Sequence, residues 1–344
     1  MDAIEALYRV AYLQDRGLLP SQKTAAFLKA AEVLEGLPAG ELDQRLANGT
    51  ITELPGIGKS TAEVIIQAAA GQVPKRIADL ETATAIGIGS GAALRQAIKG
   101  DCHSHSTWSD GGAPIETMAR AAIALGHEYL VVTDHSPRLT VAHGLNRERL
   151  EAQLDEIAAL NAELAPFRIL TGIEVDILVD GALDQDLDLL ERLDVVVASV
   201  HSKLSMDAQA MTERMVLAAA SPHVDILGHC TGRKVRGVAD SLQEVRSPSS
   251  FDAELVFAAC KQFGTAVEIN SRPERQDPPD DLLDLALDWG CYISIDTDAH
   301  SPGHLEFVNY GCDKAADHGI EADQIINTWP ADDLLAWTRE HPAA

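Results

Sequence analysis

Residues 101–110 read Asp-Cys-His-Ser-His-Ser-Thr-Trp-Ser-Asp. Taken as a strand, this stretch alternates its side chains, so His103 and His105 share one face while Cys102 and Ser104 take the other. Two imidazoles about 7 Å apart at their Cα atoms can both reach one metal ion from a strand end. Asp110, just beyond, could ligate the same ion or a neighbour. A lone His-x-His is a short, weak motif, so its meaning depends on what the rest of the chain brings beside it.

From residue 101 onward the sequence alternates strand and helix patterns. Strands are predicted at 129–133, 167–174, 195–200, 226–228, 265–269 and 292–295, with helices at 114–125, 147–164, 184–192, 209–219, 250–262 and 280–288. Runs such as Val195-Val196-Val197 are apolar on both faces, as buried parallel strands are. About seven βα units in roughly 245 residues predict an α/β fold, a TIM-like barrel related to the (βα)8 type.

The metal-type residues fall at the carboxyl ends of these strands. His103, His105 and Asp110 follow the first, and Thr133-Asp134-His135 closes the second. Glu174 ends the third, His201 the fourth, His229 the fifth, and Asp298-Ala299-His300 the last. In a parallel barrel those ends converge on one mouth, where active sites are built. Six of the twelve histidines (103, 105, 135, 201, 229, 300) obey this rule. A satisfied core histidine explains one such case, but not six in register. Nine nitrogen and oxygen donors with no thiolate suit two to three divalent ions, and zinc, manganese and iron all accept such ligands. No organic cofactor is expected. Cys102 and Cys230 sit beside candidate ligands, but alternation points both away, as packing residues.

The region before the barrel differs. Residues 1–48 read as helices, the first with Ile4, Leu7, Tyr8, Ala11 and Tyr12 on one face, the second over 21–35 with Ala26, Phe27, Ala30, Val33 and Leu34 inward. A short helix over 41–47 ends at Asn48-Gly49, a C-cap signal. Next comes Leu54-Pro55-Gly56-Ile57-Gly58-Lys59-Ser60. Its glycines permit unusual backbone conformations, and its N–H groups open the next helix, where an anion binds well. Such a turn is either an ordinary helical hairpin or a helix-hairpin-helix that grips a nucleic-acid phosphate without reading bases, Lys59 adding charge. Gly87-Ile88-Gly89-Ser90-Gly91 lacks the flanking pattern and reads as a flexible loop.

Charge divides the same way. Residues 1–100 carry 10 Lys+Arg and 11 Asp+Glu, whereas residues 101–344 carry 17 and 42, a net of −25. Such an acidic domain repels a phosphate backbone unless bound cations or a basic cleft reverse the local field. Five scattered cysteines without a C-x-x-C fit reduced thiols better than a disulfide framework. No apolar run approaches the roughly 18 residues of a membrane span, and the N-terminus lacks a basic, cleavable leader pattern. A cytoplasmic protein without a membrane partner is expected.

The runs GDCHSHSTWSDG, EYLVVTDHS, GIEVDILVDGALD, VVASVHS, DILGHCTGR, VEINSRPERQD and DTDAHS resemble, in order, the PHP (polymerase and histidinol phosphatase) metallohydrolases. Over residues 100 to about 325 the likeness is to the PHP domain of bacterial family X DNA polymerases, whose N-terminal domain the helix-hairpin-helix segment also resembles. The resemblance implies a small all-α helix-hairpin-helix domain over 1–99, binding DNA phosphate through Gly56, Gly58 and Lys59, followed by a distorted (βα)7 barrel over 100–340. It implies a trinuclear centre: one ion on His103, His105, Glu174 and Asp298, a second on Asp110, His135 and His300, and a third on His201 and His229 with Glu174 bridging. Those polymerases carry a catalytic palm between the two parts. Here residue 99 leads straight into the PHP strand, so polymerase activity is not carried over.

A bound divalent ion lowers the pKa of its water to about 7, and charge stabilisation dominates phosphoryl transfer. Arg233 and Arg275 are placed to clamp a phosphate beside Glu174 and Asp298 as catalytic groups, with His143 a weaker candidate for substrate contact. The leading expectation is therefore a metal-dependent hydrolase acting at DNA ends in repair, as a 3′-5′ exonuclease or 3′-end phosphatase. The alternatives are a histidinol-phosphatase type of enzyme acting on a small phosphorylated metabolite, and a non-catalytic DNA-binding scaffold with a vestigial metal site. Against the last, drift would be expected to have lost at least one of nine ligands.

Overall fold

The computed structural model describes residues 1–237 and 242–340, divided into two compact units, Met1–Gly87 and Ile88–Ala344. In the first unit α1 (Ala3–Arg16) begins at a capping box in which Asp2 and Glu5 each accept the other's backbone N–H at 2.9 Å. Then come α2 (Ser21–Glu35), α3 (Glu41–Asn48), α4 (Lys59–Ala69) and α5 (Lys75–Ala83). Their core joins Ala6, Leu7, Val10 and Leu13 of α1 to Phe27, Ala30 and Leu34 of α2 and to Val64 and Ile65 of α4. Each large apolar side chain so buried contributes roughly 1.5–3 kcal/mol. The inward face of α1 is rotated from the expected one, because Tyr8 keeps its ring at the surface and donates its hydroxyl to Glu35 at 2.9 Å. Helix α3 ends at Gly49, whose φ of +69° is the left-handed cap that Asn-Gly predicts.

The second unit opens with α6 (Ala92–Ala97), then β1 (Gly100–Asp101), α7 (Ile115–Ala124), β2 (Tyr129–Val132), α8 (Arg147–Leu164), β3 (Arg168–Asp176), α9 (Leu187–Leu190), β4 (Val195–Ser199), α10 (Ala208–Ala219) and β5 (Ile226–Leu227). After a hairpin, β6 (Lys234–Arg236) and β7 (Gln243–Arg246), follow α11 (Ala253–Phe263), β8 (Ala266–Asn270), α12 (Asp280–Asp288), β9 (Ile293–Asp296), α13 (Val308–Asp317) and α14 (Ala331–Thr338). Seven parallel strands run in the order β1-β2-β3-β4-β5-β8-β9. Strands β2, β4, β8 and β9 are buried throughout, as the both-face apolar pattern predicts.

The sheet is nearly closed as a barrel, and its seam explains why β1 is so short. Beyond Asp101 four backbone donors are taken by side chains, while His105 N goes to Ala299 O. Cys102 N goes to Asp296 Oδ1 at 2.8 Å, His103 N to Asp101 Oδ1 at 3.0 Å, Ser104 N to Thr133 Oγ1 at 3.0 Å and Ser106 N to Asp134 Oδ1 at 2.8 Å. Across the seam Thr297 donates to Asp101, and Ser104 bridges to Ala299. Asn327, fully buried, accepts Ile295 N at 2.7 Å and donates to Asp296 Oδ1 at 2.8 Å and Gly100 O at 3.3 Å. Burial pushes the Asp101 and Asp296 carboxyls up, aided by Asp296 acting on Asp101 and Glu268 on Asp296.

The two compact units divide at Gly87/Ile88, and Leu94 and Ile98 belong to the barrel core. One expectation is corrected: the loop before α6 is not loose, because Gly89 N and Gly91 N donate to the Asp313 carboxylate at 2.8 Å, and Ser90 Oγ to Asp317 at 2.6 Å. A Cβ on Gly91 would lie 2.3 Å from the Cys312 carbonyl carbon, so the approach requires glycine. Hairpin β6–β7 has no counterpart in the sequence reading. No helix among the described residues is long and apolar enough to cross a membrane.

Replacing Asn327 by Leu leaves the buried Ile295 N without its acceptor and removes one of the donors to the buried Asp296 carboxylate, and is expected to cost about 3 kcal/mol. All four tryptophans lie beyond residue 100, so their fluorescence in a urea titration reports on the barrel; an unchanged midpoint would remove Asn327 from the seam.

Candidate metal centre

Glu174 lies near the C-terminal end of β3, fully buried, with five imidazoles around its two oxygens. Its Oε2 stands 3.4 Å from His103 Nε2, 3.6 Å from His105 Nε2 and 2.8 Å from His135 Nδ1. Its Oε1 stands 3.1 Å from His201 Nε2 and 2.9 Å from His229 Nε2. Asp298 Oδ1 lies 3.3 Å from His105 Nε2, and Asp110 Oδ1 lies 3.5 Å from His135 Nε2 and 3.4 Å from His300 Nε2. All nine strand-end residues are thereby brought into one cluster. Asp298 reaches it at φ +49°, in the left-handed region that non-glycine residues seldom adopt.

Three groups of donor atoms lie close enough together to hold one ion each: His105, Asp110, His135 and His300; His103, His105 and Asp298; and His135, Glu174 and His201. The grouping differs in detail from the expected one. His105 and His135 each serve two groups, and His229 meets the cluster through Glu174 Oε1.

The donor set fits divalent cations. Although buried, His103 Nε2, both ring nitrogens of His105 and of His201, and His135 Nδ1 have no partner in hydrogen-bond geometry; such orphaned atoms are costly unless something else fills their lone pairs. The acids likewise demand positive charge. Burial disfavours the Glu174 and Asp298 charges, yet His201, His103 and His135 hold Glu174 well below the usual carboxylate range, and Arg275 with His105 does the same for Asp298. Burial opposes the charged imidazoles too, but Glu268 and Glu174 raise His103 well above its usual value, and Glu174 with Asp176 raises His201 to about 9. Burial, joined by His300 and His135, pushes His105 down; burial, joined by Arg275, takes His229 down to about 4. Cys102 and Cys230 are buried in apolar clusters, and burial keeps both thiols protonated.

Several supporting residues escaped the sequence reading. Glu268, fully buried on β8, faces His103 Nδ1 at 2.6 Å and accepts His229 N through its other oxygen, the carboxylate–histidine arrangement that orients metal ligands. Its only sequence signal was a carboxylate inside an apolar strand. Asp134 shapes the 101–110 loop, accepting Ser106 N at 2.8 Å, Ser109 N at 3.1 Å and Gln153 Nε2 at 2.6 Å.

A cavity of about 250 Å³ opens beside the cluster, lined by Asp110, His135, His201 and His300 together with Lys234, Arg246, Arg272, Glu274, Arg275, Leu139 and Val200. Arg275 belongs to it, while its Nε donates to Asp298 Oδ2 at 2.8 Å. Arg233, expected as a phosphate clamp, does not line it: its Nε donates to Arg275 O at 3.1 Å and its Nη2 to Gln276 O, holding loop backbone instead. His143 is exposed in a left-handed turn and is absent from the lining. In the helical unit Gly56 (φ +93°) and Gly58 are exposed in the turn before α4, with Ile57 buried beneath them and Lys59 exposed as the first residue of that helix.

A family model described as the PHP domain matches residues 101–272. The chain is 39% identical over 244 residues to the DNA polymerase/3′-5′ exonuclease PolX of Bacillus subtilis (strain 168), an alignment covering 71% of this chain and only 41% of that protein's length. It is 28% identical over 240 residues to a probable phosphatase of Thermoanaerobacter sp. (strain X514), covering 66% and 89% of the two chains. Among solved structures, histidinol phosphate phosphatase from Lactococcus lactis, complexed with zinc, L-histidinol and phosphate, matches with a TM-score of 0.45 and 21% identity, covering 65% of this chain and 94% of that one.

If Glu268 orients His103, Glu268→Gln is expected to weaken metal binding roughly 10- to 100-fold. Competition with a chromophoric chelator measures it, and unchanged affinity would mean that His103 is oriented without Glu268.

Proposed function

The chain belongs to the PHP-domain family, as a metal-dependent phosphoesterase, and on that premise we propose that it hydrolyses phosphate esters at DNA ends, as a 3′-5′ exonuclease or 3′-end phosphatase in repair. The observation that carries this reading is the juxtaposition of the Glu174-centred cluster with a cavity bearing Lys234, Arg246, Arg272 and Arg275. When bound, two or three divalent cations (zinc, manganese or iron) supply a nucleophile from water at neutral pH and positive charge for the phosphoryl oxygens. The nine clustered side chains would hold them, with Glu174 as the shared carboxylate between the two sets of imidazoles. Arg275 fixes Asp298 through its Nε and borders the cavity, where it meets the substrate's charge. Glu268 holds His103 in orientation from behind, and Asp176 accepts His201 N at 3.1 Å.

The likeness to a curated 3′-5′ exonuclease supports a DNA substrate, as does the exposed Gly56–Lys59 turn, which sets Lys59 at the N-terminus of α4, where a phosphate is favoured, although Ile57 N and Gly58 N are themselves taken by Leu54 O and Thr61 Oγ1. A small phosphorylated metabolite is the second reading. It is favoured by the modest cavity, by the net charge of −25 over residues 101–344, and by the likeness to a probable phosphatase along most of that protein's length.

A substrate panel with Mn²⁺ or Zn²⁺, containing 3′-phosphate DNA, 3′-hydroxyl DNA, abasic DNA and several phosphomonoesters, tests the proposal. Asp298→Ala is expected to lower kcat at least about 100-fold on whatever is cleaved, and a chelator to abolish turnover. Cleavage of phosphomonoesters with none of the DNA ends would select the metabolite reading. For the helical unit, Gly58→Leu is the cleaner probe, because a Cβ there meets nothing within 4 Å, whereas one on Gly56 would press Val33 Cγ2 at 3.2 Å. Weakening of gapped-DNA binding by roughly 10-fold at low salt, with an unshifted Tm, is expected. Unchanged affinity would release the turn from a DNA role.

A further inference from the structure

Hairpin β6–β7 carries an arrangement that the ligand cluster does not require. Lys234 and Arg246 are direct cross-strand partners, and like charges set opposite one another in an antiparallel pair are destabilising. The chain has 53 acidic residues with which to relieve them. Of the four cations lining the cavity, Arg272 stands 3.4 Å from Glu274 and Arg275 2.8 Å from Asp298. No carboxylate lies within ion-pair distance of Lys234 or Arg246 among the described residues. Partial burial and the guanidinium groups of Arg275, Arg246 and Arg272 hold the Lys234 ammonium below its usual range. This repulsion is relieved by an anion, and the cavity between hairpin and cluster is where one fits.

The hairpin is also held in place. Arg233 binds the Arg275 and Gln276 carbonyls, Val235 N donates to Glu274 O at 2.8 Å, and Arg246 Nε donates to Gly232 O at 2.7 Å. These bonds fix β6 against the loop that carries Arg272 and Arg275. Among the described residues the lining contains no Phe, Tyr or Trp, so it offers no indole or phenyl face for a base to stack on. Recognition there runs through charge.

We propose that Lys234 and Arg246 form a second phosphate subsite beside the ligand cluster, so that the preferred substrate carries two phosphates: one whose ester is hydrolysed and a neighbouring one held by the hairpin. This rests on the phosphoesterase reading and narrows it. Arg233 is a positioning residue for the subsite. Both a nucleoside bisphosphate and the end of a nucleic-acid chain present this pair of anions, whereas an isolated phosphomonoester does not.

The test compares thymidine 3′-monophosphate, thymidine 3′,5′-bisphosphate and a 3′-phosphorylated oligothymidylate on the metal-loaded protein of residues 1–344 and on its Lys234→Gln/Arg246→Gln variant. Wild type is expected to prefer the two-phosphate substrates in kcat/KM, and the double variant to lose roughly 10- to 100-fold of that preference through KM. Lys234→Arg, which keeps the charge, is expected to retain it. A preference confined to the bisphosphate upholds the subsite and identifies a free nucleotide as its ligand; one confined to the oligonucleotide upholds it and identifies a chain end. A preference that survives the double substitution overturns the proposal. Calorimetric titration of bisphosphate and monophosphate, at the same metal loading, reads the subsite without turnover. If no substrate is hydrolysed, the phosphoesterase reading fails, yet tighter bisphosphate binding that disappears in the double variant still upholds the subsite. Equal binding of the two nucleotides by wild type overturns it.

Discussion

Placing the Glu174 carboxylate inside a barrel is the constraint on which the rest of the site depends. An isolated buried carboxylate is costly, and proteins offset that cost by pairing it or shifting its pKa. Here five imidazoles surround it, and most of their buried nitrogens find no other partner. The carboxylates around them raise the pKa of His103 and His201, while His105 and His229 are pushed the other way. Clustered carboxylates and unpartnered imidazole nitrogens together call for positive charge at their centre. Divalent cations fit that demand because carboxylate and imidazole are both their ligands.

The fold meets the constraint by bringing strand ends together, which is why so much of the site was legible in the sequence. Each of the nine residues follows or ends a segment with a buried-strand pattern, and parallel barrels direct those ends to one mouth. Chemistry and position reinforced one another, so the residues could be found without their contacts. Glu268 was harder to read. It lies inside β8 rather than at its end, and one carboxylate among apolar residues is ambiguous until His103 is seen 2.6 Å away. The early end of β1 was equally hidden, because donors just beyond it are taken locally by Asp101 and by Thr133, Asp134 and Asp296 from distant parts of the chain. The face of α1 went astray for a related reason: periodicity counts Tyr8 as apolar, although its hydroxyl prefers Glu35 at the surface.

Arginine roles were the least legible. Arg233 and Arg275 look alike in the sequence, each a few residues past a strand end. Gln276 takes φ +48°, and its carbonyl together with that of Arg275 receives the Arg233 guanidinium. Arg275 meets Asp298 instead and borders the cavity. The planar fork of arginine serves carbonyl groups as readily as phosphates, so only the path of the loop separates a scaffold arginine from one that can face an anion.

That loop also reconciles two properties that seem opposed, a strongly acidic barrel domain and a phosphate-bearing substrate. Exposed charges separated by more than about 8–10 Å are largely screened at physiological salt, so most of the surface acids bear on solubility rather than on the site. Within the cavity the balance is local. Four cations stand in its lining against Asp110 and Glu274, and the clustered ligands would be neutralised further by bound metal ions. Partial enclosure strengthens these short-range terms relative to the distant negative field. The sign of the field at the mouth therefore depends on the loop, the hairpin and the metal load more than on the net charge of the chain, and an anionic substrate is compatible with a protein that elsewhere repels it.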